Sequence, residues 1–273
     1  MVYAYNGLLL NPTKFEAMWL GSRSQVQSGS KFNNSLKIAD IPIVPSNHIK
    51  LLGVTFDSFL NFDLHVSEVC RAMNYHLRGL SHIRQFMDIP TANMIASSIV
   101  SSRLDYCNSL LAGLSSYNLL RLQRVQNRAA RLVLNVKGRT SSGPLLRQLH
   151  WLPVASRIDY KILLLTYNAI TTSQPAYINA LLVPHLPTKN LRSIGQHLLV
   201  VPFARTVLLS RAFSVTSPRL WNLLPQPLRD LAFPLLPISS INVDSESSQC
   251  NFMAFKRGLK TFLFDCPLTS TGP

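Results

Sequence analysis

Acidic residues are scarce. Against 27 Lys plus Arg stand 12 Asp plus Glu in 273 residues, a formal net charge of +15 and a pI near 10.2. That imbalance costs self-repulsion in a compact state unless an anionic partner offsets it, which points first to nucleic acid and second to an acidic membrane surface. No Asp-Asp dipeptide occurs anywhere. Long apolar runs are missing too: a spanning helix needs about 20 nearly uninterrupted apolar residues, whereas residues 162–170 are too few and residues 197–209 are broken by Pro202 and Arg205. No transmembrane segment is expected. The start, Met1-Val2-Tyr3-Ala4-Tyr5-Asn6-Gly7, carries neither the basic leader nor the small-residue cleavage site of a secretory signal, so an intracellular location is expected.

Cysteine is equally thin. Cys70, Cys107, Cys250 and Cys266 include no C-x-x-C pair, which leaves zinc ligation without support. Free thiols in a reducing compartment are expected, with a distant pairing left open. The histidines form no H-x-x-x-H or H-E-x-x-H arrangement, and neither a hydrolase glycine elbow nor a glycine-rich phosphate loop occurs. Asp57, Asp63 and Glu68 invite comparison with a metal cluster. Their positions at a strand end, a helix start and a first turn favour turn and cap roles instead. Asp105 has no acidic neighbour and is given a local hydrogen-bonding role.

What the chain does have is apolar material: 47% hydrophobic residues suffice for one large domain or two modest ones. Residues 14–57 read as short strands, at 14–20, 36–38, 41–44 and 49–56, separated by Gly21-Ser22, Asn33-Asn34, Asp40 and Pro45-Ser46-Asn47. From Asp63 the period changes. Val66, Val69, Met73, Leu77, Leu80 and Ile83 mark one apolar helix face. Asp88-Ile89-Pro90 suits the start of a second helix, and Ser115 is a plausible N-cap for a third running to about residue 136. Residues 138–143 are a candidate linker. Residues 145–149 and 158–170 read as helices flanking a Trp151-Leu152-Pro153 corner, with both Trp151 and Trp221 buried. Residues 234–249 read as a loop, and residues 252–264 as a closing basic amphipathic helix.

The most informative local feature lies in the third helix. At 100° per residue, Arg121, Arg124, Arg128 and Arg131 fall within an arc of about 80°, beside an apolar face of Leu122, Val125, Ala129 and Leu132. Guanidinium groups are permanently charged and fork onto phosphate oxygens, so such a row suits a helix lying along a nucleic-acid backbone. The alternative is an ordinary solvated face, which normally mixes both signs. This helix contains no Asp or Glu.

Several ordered motifs resemble the end of a LINE-type (non-LTR) retrotransposon reverse transcriptase. They are Leu10-Asn11-Pro12-Thr13-Lys14, Ile49-Lys50-Leu51-Leu52-Gly53-Val54 and Ser102-Arg103-Leu104-Asp105-Tyr106-Cys107-Asn108. Next come Leu122-Gln123-Arg124-Val125-Gln126-Asn127-Arg128-Ala129-Ala130-Arg131 and Leu149-His150-Trp151-Leu152-Pro153. Leu191-Arg192-Ser193, Arg211-Ala212-Phe213-Ser214, Pro218-Arg219-Leu220-Trp221-Asn222-Leu223-Leu224-Pro225 and Phe255-Lys256-Arg257-Gly258-Leu259-Lys260-Thr261 complete the series, which covers nearly the whole chain. The resemblance implies that residues 1–60 are the last part of the palm, with Leu52, Gly53 and Val54 as the turn that helps hold the primer end. It implies that residues 61–140 are the helical thumb and residues 141–273 a post-thumb region.

The parent activity so implied is RNA-directed DNA synthesis, with magnesium held by an adjacent Asp pair and a further upstream Asp. This sequence lacks that pair and resembles the stretch just downstream of it, so a truncated reading frame with no catalytic residues and no bound cofactor is expected. The expected fold is α+β: a small N-terminal antiparallel sheet, a mainly helical thumb and a loosely organised C-terminal region. The expected partner is an RNA-DNA hybrid or duplex, gripped by its backbone. A basic interaction protein for a partner protein or anionic membrane surface, and a non-functional remnant, are the competing readings.

Overall fold

The computed structural model describes residues 11, 14–31, 36–38, 41–136, 140–186, 195–233 and 245–268. They form two compact units divided after Arg71. The architecture is α+β, with antiparallel pairing near the N-terminus, helices dominating from Asp63, and a C-terminal region of short helices joined by irregular chain.

In the first unit, α1 (Arg23–Lys31) precedes β1 (Leu36–Ile38), β2 (Ile41–Ile43), β3 (His48–Leu51) and β4 (Val54–Asp57). The expected sheet is present as two antiparallel ladders, β1 with β2 in the register Leu36↔Ile43 and β3 with β4 in the register Leu51↔Val54. Three expectations need correction. The single strand expected over 49–56 is instead the β3–β4 hairpin, because the chain reverses at Leu52-Gly53, where both φ angles are positive. Residues 14–20 form no strand. Ala17 accepts from Ser46 N–H at 2.8 Å and Gly21 N–H donates to Ser58 at 3.2 Å, isolated bonds to loop positions rather than a ladder. Residues 23–31, left between expected strands, are helical because Ser22 and Gln25 build a capping box: Ser22 N–H donates to Gln25 Oε1 at 2.9 Å and Gln25 N–H to Ser22 Oγ at 3.4 Å. The turns expected at Asn33-Asn34 and Asp40 lie outside the described residues.

Val54, Phe62 and Val66 form the small core of this unit. The chain turns from β4 into α2 (Asp63–Ile83) around the Asp57 carboxylate, which accepts backbone N–H bonds from Phe59, Asn61 and Phe62 at 3.1, 3.0 and 2.6 Å. Beside it, Thr55 N–H donates to buried His65 Nδ1 at 3.5 Å, and Thr55 Oγ1 donates to Glu68 Oε2 at 2.9 Å.

The second unit is helical. A 3₁₀ turn at Arg84–Phe86 leads to α3 (Ile89–Asp105), whose Asp88 N-cap accepts from Thr91 N–H at 2.9 Å. A second 3₁₀ turn (Asn108–Leu111) precedes α4 (Ser116–Val133), whose Ser115 cap accepts from Asn118 N–H. Then come α5 (Ser142–Gln148), α6 (Val154–Thr172), α7 (Ala176–Asn179), α8 (Val207–Ser210), α9 (Phe213–Asn222), α10 (Gln226–Asp230) and α11 (Ser245–Asp265). The candidate linker at 138–143 lies partly outside the described residues. The loop expected over 234–249 does too, and its remainder is a correction: helix begins at Ser245, because α11 is anchored by its buried Phe255, Leu259 and Leu263 and adding residues to a formed helix is far easier than nucleating one.

Helix α6 is the hub, packing against α3, α4, α9 and α11. Ile158, Ile162, Leu163 and Tyr167 are buried; Tyr167 stacks on Phe255 with ring centroids 4.2 Å apart and donates to Leu231 C=O at 3.1 Å. Trp151 and Trp221 are buried, and Trp221 Nε1 donates to His197 C=O at 2.9 Å. Arg84, also buried, closes the C-terminus of α4: Nε and Nη2 donate to Val133 C=O at 3.2 and 2.7 Å and Nη1 to Met87 C=O at 2.7 Å. The guanidinium thus meets the carbonyls that a helix end leaves over.

Arg84→Met leaves those carbonyls buried and unsatisfied, and is expected to cost about 2–4 kcal/mol in urea unfolding; a loss below about 0.5 kcal/mol means water reaches them. Burial, with Lys50 adding and Glu68 opposing, holds the His65 pKa below its ordinary value of 6.5. The unfolded chain then takes up this proton at higher pH than the folded one. The associated stability is present above about pH 6.5 and lost as the pH falls from there through the lower pKa of the folded state. His65→Gln is expected to flatten the decline in melting temperature between pH 7 and pH 5; an unaltered slope assigns the decline to other groups.

Candidate nucleic-acid interface

Helix α4 is held on most of its circumference. Leu122, Val125, Ala129, Ala130 and Val133 are buried, and Leu132 is half-buried at the edge of that face. Two glutamines in the Leu122–Arg131 motif fix the helix to the Leu152–Val154 corner. Buried Gln126 Nε2 donates to Leu152 C=O at 2.8 Å, while Gln123 Oε1 accepts from Val154 N–H at 2.9 Å, at the start of α6. Gln123 Nε2 donates to Gln126 Oε1 at 3.0 Å and Asn127 Oδ1 at 2.7 Å, so both amides are committed. With Arg84 at its end, α4 has little freedom to rotate.

The remaining face carries the ridge. Arg124 and Arg128 are exposed, and Arg121 and Arg131 are half-buried at its flanks. Arg121 Nη1 donates to Asn118 Oδ1 at 3.1 Å, and its guanidinium lies 5.5 Å from the ring centre of exposed Tyr117. Arg128 Nη1 donates to Asn74 Oδ1 at 3.1 Å, which sets the second half of α2 beside the ridge. Arg131 Nη2 donates to Thr140 C=O at 3.1 Å, and its buried Nε has no hydrogen-bond partner among the described residues. Among the described residues, Arg124, Arg128 and Arg131 make no ion pair.

One turn beyond Asn74 on α2 stands exposed Arg78, and next to Asn74 stands Tyr75, which is 74% exposed. Sequence periodicity read α2 for its buried face and missed these outward residues. The surface so assembled is cationic with two exposed tyrosines, a composition able to meet phosphate oxygens by charge and sugars or bases by ring contact.

Leu52, Gly53 and Val54 belong to the first unit and the four arginines to the second. Leu52 and Gly53 are the two central residues of the β3–β4 hairpin, with φ of 48° and 82°. Both angles are positive, as the twist of a two-residue hairpin demands; glycine adopts this freely and leucine at a cost of roughly 1–2 kcal/mol. Leu52 is 81% exposed and Val54 is buried, so the turn presents its leucine outward while the adjacent strand is anchored.

Three of the carboxylates are committed within the fold. Asp57 is occupied by three backbone N–H groups, Glu68 by Thr55, and Asp105 by Arg157 Nη1 at 2.8 Å. Among the described residues no group of three or more His, Cys, Asp or Glu side chains is placed to hold a metal ion. No helix among them is long and apolar enough to cross a membrane. Comparison with models of known protein families, with curated proteins and with solved structures finds no match to this chain.

Proposed function

We propose that the chain is a truncated LINE-type reverse transcriptase fragment whose retained capacity is sequence-independent binding of an RNA-DNA hybrid or duplex along its backbone. The observation that carries this reading is the ridge: four arginines on one face of a helix whose other faces are fixed by packing, with exposed Arg124 and Arg128 at its centre and no acid in the helix. A rigid cationic row costs little to order on binding and releases counterions from each phosphate it meets. Arg78 and Tyr75 extend the footprint onto α2, and Tyr117 extends it at the start of α4. In this reading Leu52, Gly53 and Val54 correspond to the turn that supports a primer end, and residues 61–140 to a thumb.

Binding is expected to weaken steeply with salt. Arg124→Ala and Arg128→Ala should each flatten the slope of log affinity against log salt by about 0.9, and the quadruple alanine variant of Arg121, Arg124, Arg128 and Arg131 by up to about 3–4. Titration of a labelled hybrid in 50–300 mM salt reads the slope, with circular dichroism confirming the fold. A slope that does not move makes the ridge an ordinary solvated face. Tighter binding to anionic vesicles than to hybrid transfers it to a membrane surface instead.

The chain alone is expected not to extend a primer. Positioning by a thumb accelerates phosphoryl transfer only when paired carboxylates hold the two metal ions that activate the hydroxyl and neutralise the displaced phosphate. Primer extension on an RNA template with magnesium and all four deoxynucleotides, beside a version extended upstream to include an aspartate pair, tests this. Extension by the unextended chain, abolished in Asp57→Asn or Asp63→Asn, overturns it.

A further inference from the structure

Away from the ridge, the C-terminal end of α3, the 150–152 corner, α6 and α11 enclose a cleft of about 270 Å³. At 100° per residue, Gln126 and Gln123, which reach the same corner, lie about 180° and 120° around α4 from the middle of the ridge. None of the residues that line the cleft belongs to α4, so the cleft and the ridge share no side chain.

Its charges do not balance internally. Arg157 Nη1 donates to both oxygens of Asp105, at 3.0 and 2.8 Å, and those two charges cancel. Arg157 is held in place by Nε donating to Leu152 C=O at 2.9 Å and is only 12% exposed, so the pair is a fixed wall. Lys161 of α6 and Lys260 of α11 remain, on the same cleft, with no ion pair among the described residues. Partial burial, then the neighbouring Arg157 charge, pulls the Lys260 pKa down. His150 supplies a further nitrogen, and Leu152, Tyr160 and Leu164 an apolar wall.

We infer that this cleft binds a phosphomonoester carried on a ring-bearing molecule of nucleotide size, with Lys161 and Lys260 on the phosphate and Tyr160 and Leu164 against the ring. The charge argues for a monoester: it carries about −1.5 to −2 at neutral pH, close to the two uncompensated lysines, whereas a backbone diester carries one negative charge. The volume lies just below the range of small-molecule sites, about 300–1,000 Å³, which admits one nucleotide and not a duplex. Two sources share this chemistry, a free nucleoside monophosphate and the 5′-phosphorylated end of a strand.

The test is calorimetric titration of the full chain with a nucleoside 5′-monophosphate, and with a short single strand bearing either a 5′-phosphate or a 5′-hydroxyl. The natural chain should bind the monophosphate, or the phosphorylated strand in preference to the hydroxyl strand, and the arm that binds identifies the source. Lys161→Gln/Lys260→Gln should weaken this at least tenfold, Lys161→Arg/Lys260→Arg should retain most of it, and the quadruple ridge variant should bind as the natural chain does. Both lysines are exposed, so the glutamine variant is expected to keep its melting temperature and its salt-dependent hybrid binding. Equal affinity in the glutamine variant, absence of binding at millimolar monophosphate and to both strands, or loss only in the ridge variant overturns the proposal. Hybrid binding that fails while monophosphate binding survives refutes the ridge and leaves the cleft standing.

Discussion

A buried polar side chain must find a partner, and in α4 that requirement decides which face is left for solvent. Gln126 is fully buried and answers to Leu152; Gln123 answers to Val154; the carbonyls at the helix end answer to Arg84. Turning α4 by one residue, about 100°, would withdraw both glutamines from the corner and carry charged guanidinium groups toward the interior. Such a penalty exceeds what apolar sliding alone imposes, because Ala129, Ala130 and Val133 offer little shape to fix a rotation. The amides and Arg84 thus hold the arginine ridge outward, although none of them touches what the ridge would bind.

The motifs that resemble a reverse transcriptase have a common physical meaning in this fold. Asp105 and Asn108 meet Arg157 across 52 and 49 residues of chain. Arg211 Nε donates to Ala112 C=O at 2.9 Å, next to Gly113, whose φ of 65° and missing Cβ let the arginine stem pass. Asn222 exchanges two hydrogen bonds with the Leu199 backbone, and Phe255 fills the space between Tyr167 and Trp221. These are locks between distant segments. They give these motif residues a structural role that involves no chemistry.

Amphipathic periodicity was legible wherever a helix was long enough to repeat its pattern, as in α2, or had a cap of its own, as with Asp88 and Ser115. It failed where structure is imposed from outside. Residues 14–20 alternate like a strand, yet a strand exists only if another edge accepts its ladder. Helices α7, α8 and α10 are too short for a period, and buried Arg229 secures the last of them with bonds to Gln196 and Asn222 carbonyls. The capping box at Ser22 and Gln25 was a readable signal, hidden because Gly21-Ser22 reads equally well as a turn. The ridge is contiguous in sequence and so was visible; the cleft draws Asp105, Arg157 and Lys260 from three distant helices and was not.

The scarcity of acid shapes the whole molecule. The Arg147–Asp265 ion pair is 64% and 67% exposed, a geometry that contributes about 0–1 kcal/mol. Arginine is instead used as a donor to backbone carbonyls, by Arg84 at the end of α4, Arg103 within the last turn of α3, Arg147 near the end of α11, and Arg211 and Arg229 in the C-terminal region. Such bonds satisfy carbonyls that helix termini leave over, but they neutralise nothing, because a carbonyl carries only a partial charge. Each guanidinium spent this way stabilises the fold locally while adding to its long-range repulsion. A polyanion relieves that repulsion without disturbing any of these contacts, so the shortage of carboxylates leaves the surface suited to phosphate.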